Sequence, residues 1–238
     1  MDPAGALIRR LVDARDPAFD PAPFEARVAE SVLGPPGAPL TPHRRLLELD
    51  NGGYYHGHAL HVFGACQGPP WHALPSWNAP ATWRDAYGEA PAGLVFFAED
   101  AFGDQFAYRG AHAEVVIFEA DLGRVVPFAP HFLGWLEEMV ERPARVLPLD
   151  VLAQQRAERR LHQAGTHLFG WPPLSTVESR AGVSIGHVDA VEAMRFRGQL
   201  AAGLRDLAPG TRVRLELDGP PAPAAGRGDG PETPEGGG

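Results

Sequence analysis

A chain of 238 residues, 44% hydrophobic and 21% charged, can bury a sizeable core as one substantial domain or two small ones. Its 30 acidic residues against 21 basic ones give a net charge of −9, which disfavours nucleic acid and anionic membrane surfaces and suits a basic protein partner. Every basic residue is Arg, so Schiff-base lysine chemistry, a P-loop lysine and a kinase ATP lysine are excluded, and the single Cys66 excludes an internal disulfide and a multi-cysteine zinc site.

Residues 1–15 mix apolar and charged side chains without the apolar core, about 7–15 residues, of a signal peptide. No run of about 18 apolar residues exists, so the expectation is a soluble, cytoplasmic protein without a membrane span. Residues 4–12 carry a short helical pattern, broken by Asp16-Pro17 and Asp20-Pro21-Ala22-Pro23. A second helix over 24–33 ends at Gly34-Pro35-Pro36-Gly37, and residues 1–40 read as a loosely attached helical lead. Thr41 as N-cap and Pro42 at the first helical position open a helix with Leu46, Leu47 and Leu49 as its apolar surface. Asn51-Gly52-Gly53, tolerant of left-handed backbone, closes it.

A short strand is expected over 59–64, then a loop over 71–87 with a helix near 81–87. Strands follow at 94–98, 105–109, 114–120 and 125–126, the last pair joined by a hairpin turn at 121–124. Close spacing and short turns make them an antiparallel meander. Helices are expected over 132–140 and 150–165, an extended stretch over 174–177, and an amphipathic helix over 191–207 that Gly198 and Gly203 weaken. Arg195, Arg197 and Arg205 read as its solvated face. Residues 211–217 alternate strictly, which predicts a half-exposed strand, and residues 219–238 have almost nothing to bury and read as a disordered tail.

Four groups carry candidate chemistry. His56, His58 and His61 form the best metal candidate: alternate positions of an extended segment point one way, so His56 and His58 converge while His61 faces the other side. No Asp or Glu follows within ten residues, so surface histidines are expected and no metal or cofactor is assigned. Glu99, Asp100 and Asp104 have the composition of an acid/base or divalent-ion site, but lack calcium-loop spacing. Turn chemistry, with Asp bonding the local backbone and Gly103 supplying positive φ, explains them better. Gly182-Val183-Ser184-Ile185-Gly186, with His187 and Asp189, matches a nucleophile elbow, yet a mostly polar segment precedes it, so it reads as a small-residue loop. Cys66 has no sequence-local group to lower its pKa. Tyr54, Tyr55, Trp71, Trp77, Trp83 and Tyr87 are dense between Asn51 and Gly88. Most are core, and an exposed subset suits interface anchors.

Two motifs occur in order: Leu-x-x-x-Asn-Gly-Gly, ending at Asn51, Gly52 and Gly53, and Phe-x-x-Asp-x-Phe-Gly-Asp-x-Phe, with Phe97, Asp100, Phe102, Gly103, Asp104 and Phe106. Together they resemble the SUKH superfamily of bacterial immunity proteins and a fungal cell-wall regulator. Departures are the Leu40-Thr41-Pro42-His43 opening, the long Trp-rich loop over 64–88, and the lack of a quotable motif beyond Val140.

The resemblance implies an α+β fold, a twisted antiparallel sheet of about five to six strands wrapped by helices, over residues 41–218. It implies a non-enzymatic domain that binds a protein partner, an immunity protein neutralising a toxin, with a basic toxin domain suiting the acidic chain. Asn51, Gly52, Gly53, Phe102, Gly103 and Phe106 are then fold-signature residues, and Glu99, Asp100, Asp104, Trp77, Trp83, Tyr54 and Tyr55 the candidate partner surface. A regulatory scaffold of the fungal type and a histidine-based metalloprotein are the alternatives. Partner identity and oligomeric state stay open.

Overall fold

Six strands pair antiparallel in chain order: β1 Gly53–Tyr55, β2 Leu60–Val62, β3 Leu94–Asp100, β4 Gln105–Arg109, β5 Glu114–Glu119 and β6 Arg124–Ala129. The computed structural model describes residues 2–211 except 18, 21, 36, 38, 39, 159–162, 174–177 and 209. The expected α+β class and meander are present, with a separate hairpin of β7 Thr166–Trp171 and β8 Ser184–Asp189.

Alternating side chains let the apolar run Leu94–Ala98 serve two layers at once. Phe97 packs against Phe132 and Trp135 of α5 (Phe132–Glu141) and His43 of α3 (Thr41–Leu49). Its neighbour Phe96 meets Trp83 and Phe118 instead, beside the 3-10 turn Arg84–Tyr87. On that second side lie α4 (Leu74–Asn78), which contacts β3, and α7 (Ala190–Leu204), which contacts the 3-10 turn and both hairpin strands. Two-sided burial explains why β3 and β5 read as near-continuous apolar runs without alternation.

The N-terminal lead is not loosely attached. Ile8 and Leu11 of α1 (Pro3–Asp13) are buried, and α1 packs on α5 and α3. Backbone bonds from Asp16 N to Tyr54 O (2.7 Å) and from His56 N to Ala14 O (3.0 Å) tie the next segment along β1. Residues Met1–Arg205 form one unit and Asp206–Gly238 another.

Helix α3 begins one residue earlier than capping chemistry suggests, with Leu40 at the cap and Thr41 already helical. It ends at Asp50 in extended backbone, and left-handed φ falls at Gly52 (76°) rather than at Asn51. A β-carbon on Gly52 would stand 2.5 Å from the Val62 carbonyl oxygen, so this glycine is also a close approach to β2.

The helix expected over 81–87 is reduced to the 3-10 turn, and α4 upstream of it escaped the sequence reading. Helix α6 runs Leu149–Ala157 and does not reach 165. The hairpin was not expected, because Gly182–Gly186 read as a small-residue loop and the segment before 165 as helix. Ser184 and Gly186 lie in β8, and Asp189 accepts from Val191 N and Glu192 N as the cap of α7, which leaves no elbow. The extended stretch at 174–177, the strand expected through 217 and the tail over 219–238 lie outside the described residues, Thr211 apart.

Candidate functional site

Register creates the site. Pairing sets Glu99 of β3 opposite His61 on β2 and Gln105 on β4, beneath the β7–β8 hairpin. Glu99 is 2% exposed, and three side chains converge on it. His61 Nδ1 lies 2.9 Å from Oε1, His167 Nε2 of β7 lies 3.0 Å from Oε2, and Gln105 Nε2 donates to Oε2 at 2.6 Å. Gln105 Oε1 in turn accepts from Trp77 Nε1 at 2.8 Å. Behind His61, its Nε2 meets His72 Nδ1 at 3.0 Å, and the Tyr54 ring stacks on it at 4.3 Å.

On the other side Arg197 of α7 donates to His167 Nδ1 (3.3 Å), Leu168 O (3.1 Å) and Asp121 Oδ1 (3.0 Å). Guanidinium has donors only, so His167 Nδ1 accepts and its proton sits on Nε2, facing Glu99. One chain of close polar contacts thus runs His72–His61–Glu99–His167–Arg197–Asp121.

Burial works against the Glu99 carboxylate, yet His167 and His61 outweigh it and hold its pKa down to about 2. Burial lowers His61, with Glu99 partly opposing, and lowers His72 to about 3. The centre is therefore an anion solvated by the protein's own donors. His61 turns one ring nitrogen to Glu99 and the other to His72, so its lone pair does not converge with theirs. Among the described residues no group of three or more His, Cys, Asp or Glu is arranged to hold a metal ion.

Where the chain reaches the surface a hollow of about 240 Å³ opens, walled by Phe102, Leu122 and Phe169, with Asp104, Glu119, Asp121 and Arg197 as its charged lining. The Arg197 guanidinium stands 4.9 Å over the Phe169 ring. The acidic turn beside it follows the expected turn chemistry. Asp100 Oδ1 accepts from Phe102 N (2.9 Å) and Asp104 N (3.0 Å), and Asp104 Oδ1 accepts from Ala120 N (2.8 Å). Burial raises both carboxyl pKa values.

The partner surface read from sequence is corrected by burial. Tyr54, Tyr55, Trp77, Trp83 and Glu99 are all 3% exposed or less: the second layer covers the face that carries Tyr54 and Glu99, and Tyr55 points to the other face, where its hydroxyl donates to Asp50. Asp100 is taken up by its turn, and Asp104 alone of the set lines the hollow. The fold-signature residues keep structural roles. Asn51 Nδ2 donates to Ala22 O (2.8 Å) while its Oδ1 accepts from Ala65 N (2.8 Å). Phe106 is buried against Trp135 and Phe128, and Phe102 is half-buried at the hollow.

His56 and His58 do not lie in extended chain: both have left-handed φ, 54° and 69°, and His58 pairs with Asp16 at 2.9 Å. Only His61 of that run enters the cluster. Arg197, expected on a solvated face, is buried, while Arg195 and Arg205 donate to the Thr82 and Tyr87 carbonyls. Sequence reasoning missed His72, Gln105, His167 and Arg197. The cross-strand pairs of Glu99 with His61 and with Gln105 needed only the β2–β3 and β3–β4 registers; His72, His167 and Arg197 arrive from other segments with no local signal.

No family model matches the chain, and no curated protein does. Among solved structures, the crystal structure of Atu4351 from Agrobacterium tumefaciens is similar with a TM-score of 0.52 at 14% sequence identity, covering 84% of this chain and 89% of that one. The likeness concerns the fold: an α+β arrangement shared over most of both chains.

Proposed function

We propose that this chain is a non-catalytic protein-binding domain, an immunity protein of the SUKH type that neutralises a basic toxin domain by direct contact. The observation that carries the reading is the commitment of Glu99, His61, His72 and His167 to one another at 0–2% exposure. Groups that would do acid/base chemistry serve there as internal scaffolding. The net charge of −9 supports a basic partner through steering.

The docking face is the rim of the hollow, where Leu122 (50% exposed) stands beside the Asp104 and Asp121 carboxylates. Trp171 (44% exposed) follows Phe169 at the end of β7 and shares its face. An apolar wall edged by carboxylates suits an arginine or lysine, whose stem packs while its charge pairs. Co-expression with toxins encoded beside the gene, pull-down, and titration calorimetry of any pair test the reading. Leu122→Arg is expected to weaken binding at least tenfold or so, as charge repulsion at a rim contact, with the thermal midpoint unchanged. Failure to bind any neighbouring toxin, or undiminished binding by Leu122→Arg and Trp171→Asp alike, overturns it.

A further inference from the structure

We infer that the hollow beside the acidic turn is a receptor for a small zwitterion, an α-amino acid with an aliphatic side chain. Carboxylates hold its ammonium at one end and the Arg197 guanidinium holds its carboxylate at the other. This goes beyond the protein-binding reading and does not depend on it. The hollow measures about 240 Å³, below the roughly 300–1,000 Å³ of pockets for drug-sized ligands, so its occupant is smaller than those. Its apolar wall comes from three segments: Phe102 from the acidic turn, Leu122 from the β5–β6 turn and Phe169 from β7. Such a wall offers nothing to a bare ion and calls for an organic ligand with a side chain to bury.

Each carboxylate of the lining gives one oxygen to the protein. Asp104 Oδ1 accepts from Ala120 N (2.8 Å), Glu119 Oε2 from Arg124 Nε (2.6 Å) and Asp121 Oδ1 from Arg197 Nε (3.0 Å). Their second oxygens accept from no donor among the described residues. Burial raises the Asp104 carboxyl pKa, and Asp121 and Glu119 raise it further, so the three stand close enough to repel one another. Three free acceptors match the three N–H of an ammonium, whose charge relieves that repulsion.

Arg197 supplies the opposite pole. It is 3% exposed yet lines the hollow. Its bonds to Asp121, His167 Nδ1 and Leu168 O use three of the five N–H that a guanidinium carries. One N–H on Nη1 and one on Nη2 find no acceptor among the described residues. A buried charged donor left short is costly, and a ligand carboxylate satisfies it with charge-assisted bonds. Three carboxylates against one guanidinium keep the lining acidic, so an acid without an amine is repelled. An amine without an acid leaves Arg197 as it was. Only a molecule with both ends answers the whole lining.

Titration calorimetry of the full chain at neutral pH tests this with three probes. They are L-leucine, isoamylamine (leucine without its carboxylate) and 4-methylpentanoate (leucine without its amine). L-leucine is expected to bind one-to-one and to shift the Leu122 methyl resonances in NMR spectra. Each analogue is expected to bind roughly tenfold more weakly or worse, as the loss of a charged hydrogen-bonding group requires. Asp104→Asn keeps the oxygen that accepts from Ala120 N but removes the charge, and Arg197→Met removes the carboxylate's donor; either is expected to weaken L-leucine roughly tenfold or more. Glu141→Gln, outside the hollow on α5, is expected to leave binding unchanged. No binding of L-leucine at millimolar concentration, binding without a shift at Leu122, or equal binding of either analogue overturns the inference. So does undiminished binding by a folded Asp104→Asn or Arg197→Met protein. The three probes on the wild-type chain decide the matter even if neither variant folds, and a missing toxin partner counts against the docking reading alone.

Discussion

Replacing Gly103 by Ala tests the junction between the acidic turn and the buried cluster. Gly103 has φ of +89°, and a β-carbon there would stand 2.5 Å from His167 Nδ1, 2.6 Å from its Cε1 and 2.9 Å from Arg197 NH1. An L-residue in left-handed backbone costs about 1–2 kcal/mol. The imidazole must also give way, and it is clamped between Glu99 and Arg197 at 1% exposure, so at least one buried polar contact is lost for about 1–3 kcal/mol. Alanine restricts the unfolded chain and returns about 0.4–1 kcal/mol. The net expectation is a loss of about 2–4 kcal/mol, a large share of the roughly 5–15 kcal/mol that holds a typical domain. Urea unfolding followed by fluorescence of the buried Trp77 and Trp83 measures it, and with a slope of about 1–3 kcal/mol per molar the midpoint falls by about 1 M or more. A loss below about 1 kcal/mol with an unchanged slope would refute the claim that the turn glycine exists to admit His167 and Arg197.

Two glycines of α7 are expected to respond oppositely to alanine. Gly203 has no atom within 4 Å of a new β-carbon, so Gly203→Ala raises stability by about 0.5–1 kcal/mol, whereas Gly198→Ala meets the Ala86 β-carbon at 2.7 Å and loses about 1–3 kcal/mol; thermal midpoints read both. Asn51→Ala strands Ala65 N and Ala22 O and costs about 2–4 kcal/mol by urea titration. Burial depresses His43 to about 3, so the unfolded chain takes up that proton first, and stability present above pH of about 6.5 drains as the pH falls toward 3. By pH 4.5 the deficit is about 3 kcal/mol, and His43→Leu is expected to flatten the pH 7.5-to-4.5 stability difference by that amount. Asp50, Asp100 and Asp104, raised by burial, pull the opposite way in both proteins and cancel in the comparison. An unchanged difference would show that His43 is charged or solvated in the folded state.

Local physics made much of the sheet legible before any coordinates. The run Leu94–Ala98, the Asp-Gly turn and the alternation that follows specify strands β3 to β5, because strand pairing across tight turns is a short-range matter. The role of Gly103 as a turn residue was legible for the same reason. What the chain order alone did not reveal was which face of that sheet would be covered twice. Coverage by α4, the 3-10 turn, α7 and the hairpin turned Trp77, Trp83, Tyr54 and Glu99 from a candidate surface into interior. The hairpin itself is glycine-rich and gains its order from pairing and from His167, so neither propensity nor periodicity announced it. The cluster draws His61, His72, Glu99, Gln105, His167 and Arg197 from positions as far as 136 residues apart in the chain, as their numbers show. Residue types and turns were fixed locally; the burial that holds Glu99 as a carboxylate among imidazoles arises only when distant segments close over it, since desolvation is a property of the packed whole.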